Sequence, residues 1–439
     1  MIKRLTKGCV SLVQKYLPDP FLFAVILTFI VFIMGMLIAG NTPWQMVQHW
    51  GGGFWSLLAF AMQMALVLVT GHTLASSPPF QRLLGSIAGA MKSPAQAIMV
   101  TTLVAVVASW VNWGFGLVIG ALMAKEMAKQ VKGADYRLLI ASGYIGFLVW
   151  HAGFSGSIPL TIATEGHFMQ DTIGIISTSE TIFAPFTLIP MLILLIALPI
   201  LNRAMMPNED EVIEINPELL KDSQSAVAIE EPVTPADKME NSVIISVLVF
   251  LLGLSYVVFY FSSNGFKLNL NIVNFIFLFL AILFHGTPRK FLDALSTAVK
   301  GAGGIILQFP FYAGIMGMMV SSGLATIMSQ WFVSISTGAT FPLFAFLSAG
   351  LVNIFVPSGG GQWAVQAPIM IPASIDLGVP VAKTAMAVAW GDAWTNMIQP
   401  FWALPALGIA GLGARDIMGY CVVALIASGI IIGLSLLII

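Results

Sequence analysis

NIFVPSGGGQWAVQAP, residues 353–368, decides how this chain is read. It lies between two apolar runs, yet it carries Pro357, Ser358 and three successive glycines, Gly359 to Gly361. Glycine weakens a helix and proline breaks one. In lipid, each peptide group left without a partner costs several kcal/mol. Such an interruption survives only where protein or a water-filled cavity surrounds it. The stretch therefore points to a membrane protein with a built interior.

Composition agrees. The 439 residues are 58% hydrophobic and 9% charged, with a mean hydropathy of +0.92. Soluble domains carry about 25% charged residues. The chain reads as an all-α polytopic membrane protein. The net charge of −1 and the lack of a basic patch give no reason to expect a nucleic-acid partner. Cys9 and Cys421 are far apart, so neither a disulfide framework nor a metal site is expected.

Lys3, Arg4, Lys7 and Lys15 precede an apolar run at 21–40 that is too long for a cleaved signal. Residues 1–20 read as a cytoplasmic amphipathic segment leading into a span. Residues 207–240 hold ten of the twenty acidic residues and two lysines, which marks a polar cytoplasmic linker. The units are thus 1–20, a first transmembrane repeat at 21–206, the linker at 207–240, and a connector helix plus second repeat at 241–439.

The halves echo each other. Thr42-Pro43 recurs as Thr287-Pro288, and Val111-Asn112 as Val352-Asn353. The loop at 41–52 has no Lys or Arg, whereas its counterpart at 286–302 has Arg289, Lys290 and Lys300. By the positive-inside rule the two loops face opposite sides, with the extra span at 241–262 changing the parity. This predicts two inverted-topology repeats, each with a re-entrant hairpin and a broken transmembrane helix. The interrupted stretches 94–128 and 341–375 would be the hairpins, with tips at NWGFG (112–116) and NIFVPSGGGQ. A full span followed by a shorter re-entrant piece fits the hydropathy of each as well.

Two tips meeting near the midplane would offer helix-start N–H groups to anions and unwound carbonyls to cations. The candidates there are Asn112, Gly114 and Gly116 on one tip, and Asn353, Ser358, Gly359, Gly360, Gly361 and Gln362 on the other. The broken helices read WHAGFSGSIP (150–159) and WGDAWTNMIQP (390–400). They add Ser155, Ser157, Thr395 and Asn396. Asp392 is an ionisable residue at membrane depth, the kind that binds Na⁺ or carries a proton. His151 lies opposite it at the repeat offset and is the second ion-coupling candidate. Glu165, His167, Asp171 and Glu180 read as an outside loop face. No Lys or Arg falls convincingly inside a span, which suits a substrate with one negative charge.

At FWSLLAFAMQMALVLVTGH, VNWGFGLV, FVPSGGGQW and QPFWALPALGIAGLGARDIMGYC the chain resembles the bacterial short-chain fatty acid transporter family, part of the wider ion transporter superfamily. The resemblance covers essentially the whole chain. It implies opposed re-entrant hairpins, often a homodimer in lipid, and uptake of small monocarboxylates such as acetoacetate or butyrate across the inner membrane. The N-terminus would be cytoplasmic and the coupling ion H⁺ or Na⁺, with no other cofactor. The superfamily's Ser-Asn-Thr tip form is absent here: Asn112 and Asn353 stand in Val-Asn-Trp and Val-Asn-Ile. The alternatives are a di- or tricarboxylate transporter, a Na⁺/H⁺ antiporter, a channel and, remotely, an integral-membrane enzyme. No Walker A, zinc-ligand or nucleophile-elbow motif supports the last.

Overall fold

The computed structural model describes residues 20–215, 234–354 and 356–439, and every regular element among them is helical. The expected segment 1–20, apart from its last residue, and linker residues 216–233 lie outside the described residues.

The first half runs α1 (Pro20–Leu37), α2 (Pro43–Gly53), α3 (Leu58–Ala75), α4 (Pro78–Gly89), α5 (Pro94–Val111), α6 (Trp113–Gln130), α7 (Tyr136–Ile145), α8 (Ser157–Ile162), the short α9 (Gln170–Ile173) and α10 (Pro185–Ala204). After α11 (Pro235–Glu240) and α12 (Val243–Asn264) the same series returns. It comprises α13 (Leu270–His285), α14 (Pro288–Val299), α15 (Gly303–Ser321), α16 (Leu324–Ile335), α17 (Phe341–Asn353), α18 (Gly359–Asp376), α19 (Val381–Thr395), α20 (Pro400–Ala410) and α21 (Ala414–Ile438).

Local chemistry explains the recurrence of Thr-Pro. Thr42 and Thr287 are the N-caps of α2 and α14, their hydroxyls accepting from the N–H of Gln45 and Lys290. The following proline fills the first helical position, where no N–H is needed. Packing is reciprocal too. Helices α1 and α2 pack on α15, while α13 and α14 pack on α3. Each half thus packs its first two helices on the third helix of the other.

The broken span Tyr136–Ile162 lies at the centre, with 94% of its most apolar window buried, against 11% for α12. That contrast makes α12 a lipid-facing connector. Crossing at the core is backbone to backbone. A Cβ on Gly120 would stand 2.6 Å from Gly143 O, and one on Gly143 2.5 Å from Gly120 O, so α6 and α7 touch as only glycine permits.

Asp135 caps α7 through Leu138 N–H at 2.9 Å and accepts from Ile213 N–H at 3.0 Å. Tyr136 N–H donates to Ile213 O at 2.8 Å. The start of the acidic linker is therefore tied to the protein rather than free.

Two expectations change. Only Asn112 leaves the helix in NWGFG, so Gly114 and Gly116 are helical residues of α6. Likewise Gly359 to Gly361 form the first turn of α18. These glycines serve close packing rather than unwinding, because neighbouring chain occupies the space a Cβ would need. Helices α5 and α6 each have 18 residues, about 27 Å at 1.5 Å per residue. That nearly matches a hydrocarbon core of about 30 Å, so the first hairpin is no shallow dip.

Candidate substrate and ion site

Each half contributes one helix break and one hairpin tip to a single buried junction. His151 lies in the last turn of the 3₁₀ segment Gly146–Ala152 that follows α7, and Asp392 in the last turn of α19. Both are fully buried. His151 Nδ1 stands 3.2 Å from Asp392 Oδ2. His151 Nε2 accepts from Ile158 N–H at 3.2 Å, at the start of α8. An accepting nitrogen carries no proton, so the neutral ring holds its proton on Nδ1, towards the carboxylate. The approach lies off the hydrogen-bond line, and neither Asp392 oxygen has a hydrogen-bond partner among the described residues.

The second tip rests on this pair. A Cβ on Gly359 would stand 2.5 Å from His151 Cε1 and 2.8 Å from Trp150 Cη2. Gly360 faces Phe60 and Phe309 in the same way, and Gly361 faces Tyr312. The first tip reaches the same break. Trp113 N–H donates to Ser155 Oγ at 2.8 Å, and Phe154 N–H to Trp110 O at 2.8 Å. Ser157 is buried at the head of α8, its carbonyl accepting from the Thr161 hydroxyl.

Amides lace the second break together. Asn353 Nδ2 donates to Asp392 O at 2.7 Å and to Thr395 Oγ1 at 2.9 Å. Gln399 Nε2 donates to Asn353 O. Trp150 Nε1 donates across the halves to Asn396 Oδ1 at 2.9 Å, and Tyr144 OH to Asn396 O.

Helix-start dipoles are partly spent. Asn112 Oδ1 accepts from Phe115 N–H at 2.9 Å, and Ser358 Oγ from Gly361 N–H at 3.3 Å. Several side-chain groups nevertheless stay without a partner among the described residues: Asn112 Nδ2, Trp113 Nε1, Asn353 Oδ1 and Gln362 Oε1. The amide orientations are set by their other ends, since Gln362 Nε2 donates to Ala349 O at 2.9 Å and to Gln366 Oε1 at 2.7 Å. An unmet buried polar group costs about 1–3 kcal/mol. Several such groups at one junction are what a ligand site requires, with donors for a carboxylate and acceptors for a cation. Among the described residues no cluster of three or more His, Cys, Asp or Glu could hold a metal ion.

The structure gathers His151, Asp392, Asn353, Thr395, Asn396, Ser155 and Gly359 at the junction. Gly114 and Gly116 instead pack on Leu68 and Ser109. The sequence reading missed the aromatic wall. Trp150 stacks on His151 with ring centroids 3.9 Å apart and on Phe147 at 5.6 Å. Trp113 lies 6.0 Å from Trp150 and 5.6 Å from Trp402. The tryptophan of WHAGFSGSIP was the available signal, since it directly precedes His151.

Comparison with known proteins accords with this architecture. The YdaH transporter of Alcanivorax borkumensis, whose crystal structure is described as having an unusual topology, superposes with a TM-score of 0.60 at 14% identity, covering 95% of this chain and 98% of that one. At that identity the likeness shows the fold alone. A protein of Escherichia coli named "Putative short-chain fatty acid transporter" is 46% identical over 99% of this chain and 100% of its own length. One of the same name in Haemophilus influenzae is 46% identical over 100% of both chains. The family described as "Short chain fatty acid transporter" matches residues 1–439. The chain therefore belongs to the short-chain fatty acid transporter family, a family of transporters rather than enzymes.

Proposed function

We propose that the protein is a secondary active carrier that imports small monocarboxylates, such as butyrate or acetoacetate, across a bacterial inner membrane. The observation that carries this is the Asp392–His151 pair, sealed at the meeting of both breaks, with two carboxylate oxygens lacking hydrogen-bond partners among the described residues. A buried charge costs several kcal/mol unless it is neutralised. A carboxylate so placed is poised to take up and release a cation, which is what coupling needs. Asn112 Nδ2 and Trp113 Nε1 supply uncharged donors for one substrate carboxylate. The junction residues include no Lys or Arg, which disfavours di- and tricarboxylates.

Protons are the first choice of coupling ion, because a titratable ring flanks the carboxylate. Sodium is the second, favoured by the unmet oxygens of Asn353, Gln362 and Asp392. Uptake of labelled butyrate into proteoliposomes, with pH and sodium gradients imposed separately, distinguishes them. Accumulation driven by the pH gradient alone is expected; accumulation under neither gradient would sink the carrier assignment.

The inverted orientation of the repeats belongs to the same proposal. It is supported by the reciprocal grip of α1 and α2 on α15 and of α13 and α14 on α3. An impermeant thiol reagent applied to intact cells should label a cysteine placed at Gln45 but not one at Leu295. Labelling of both from one side would contradict inversion.

A further inference from the structure

A cavity of about 180 Å³ opens beside the junction, at the end of the molecule where the span Tyr136–Ile162 gives way to the loop before α10. Its walls include Ala59, Gln63, Thr161, Glu165 and His167. One water needs roughly 15 Å³ of such space, so the cavity admits a small organic molecule. Its inner wall is the Phe60 ring, which touches Phe168 and Phe309 with centroids 5.9 and 5.5 Å away. On the far side of that ring stands Gly360, where a Cβ would lie 2.7 Å from Phe60 Cζ. Gly360 adjoins Gly359, which sits against His151. One aromatic ring therefore touches both the open cavity and the segment that rests on His151.

We propose that this cavity is the vestibule through which substrate reaches the junction, and that Phe60 is the gate. This rests on the carrier function proposed above. The chemistry favours a small monoanion over a dianion. Among the described residues the only full charge in the lining is the carboxylate of Glu165. Burial pulls the His167 ring below its ordinary pKa. Its two nitrogens are engaged, Nδ1 accepting from Met169 N–H and Nε2 facing Gly174 O at 2.9 Å. The Glu165 carboxylate therefore repels a dianion about twice as strongly as a monoanion at the same distance. Phe60 Cζ faces the first turn of α18, so displacement of that ring is the proposed gating step.

The test uses the full-length protein in proteoliposomes, with Cys421 and Cys9 replaced by serine. Ala59→Cys places a thiol on the exposed rim of the cavity, and Ser179→Cys places a control thiol in the same loop region outside the lining. Modification by a bulky impermeant thiosulfonate should cut butyrate uptake at least tenfold in Ala59→Cys and leave Ser179→Cys unchanged. Excess butyrate should slow labelling of Ala59→Cys. Equal uptake before and after complete modification overturns the vestibule. Phe60→Ala should lose accumulation against a gradient at least tenfold while downhill exchange persists, and Phe60→Leu should keep accumulation. Unchanged accumulation in Phe60→Ala overturns the gate. If the parent protein moves no short-chain acid at all, the carrier function fails instead, and the labelling comparison separates that case.

Discussion

Asp392→Asn should abolish concentrative uptake while the protein still inserts and elutes as a single species in detergent. Asparagine keeps the size of the side chain, so packing against the buried core is preserved. It cannot ionise, and its amide offers no exchangeable charge to His151 Nδ1, which stands 3.2 Å from Asp392 Oδ2 in the native protein. With no group at 392 able to bind and release a cation, accumulation should fall to the level that downhill equilibration gives. Initial rates against an imposed gradient, compared with downhill exchange, are the measurement. Normal accumulation in Asp392→Asn would remove this residue from coupling.

Gly359→Val should be nearly as damaging, by a different route. Its Cβ would fall 2.5 Å from His151 Cε1, with the Trp150 ring close behind. Neither ring can yield easily. Trp150 is tied to Asn396 at 2.9 Å and stacked on Phe147, while His151 accepts from Ile158. Overpacking a core costs about 1–3 kcal/mol, and here the displaced group is His151. Thermal denaturation in detergent should shift downward, and uptake should fall about tenfold or more. The double variant His151→Ala/Gly359→Val should regain stability without regaining uptake. Near-native uptake in Gly359→Val alone would show that α18 is not seated on His151 as described.

Both breaks could be read from the chain because they violate helix rules in apolar surroundings. Pro159 and Pro400 close polar stretches where lipid tolerates none, and Thr42-Pro43 and Thr287-Pro288 carry cap chemistry that spacing alone reveals. Asp392 declared itself by its cost at membrane depth. The glycines were harder. A run such as Gly359 to Gly361 is read locally as a helix breaker, yet here the three start a helix. What they answer to is Trp150, His151, Phe60 and Tyr312, residues separated from them by tens to hundreds of positions. Gly114 likewise answers to Leu68, 46 positions away, whereas Gly116 answers to Ser109 across the turn of its own hairpin. Trp113 and Trp150 looked like ordinary apolar residues, because an indole's polar handle matters only once its neighbours are known. Long-range contacts, rather than local propensity, decide those positions.

The location of the bound acid can be measured directly. A short-chain carboxylate bearing a diazirine, irradiated with the full-length protein in lipid vesicles, should attach within 110–116, 150–158 and 353–366. Excess butyrate should suppress that attachment. Labelling confined to other segments, or labelling at these segments that butyrate does not displace, would contradict a substrate site at the meeting of the two tips.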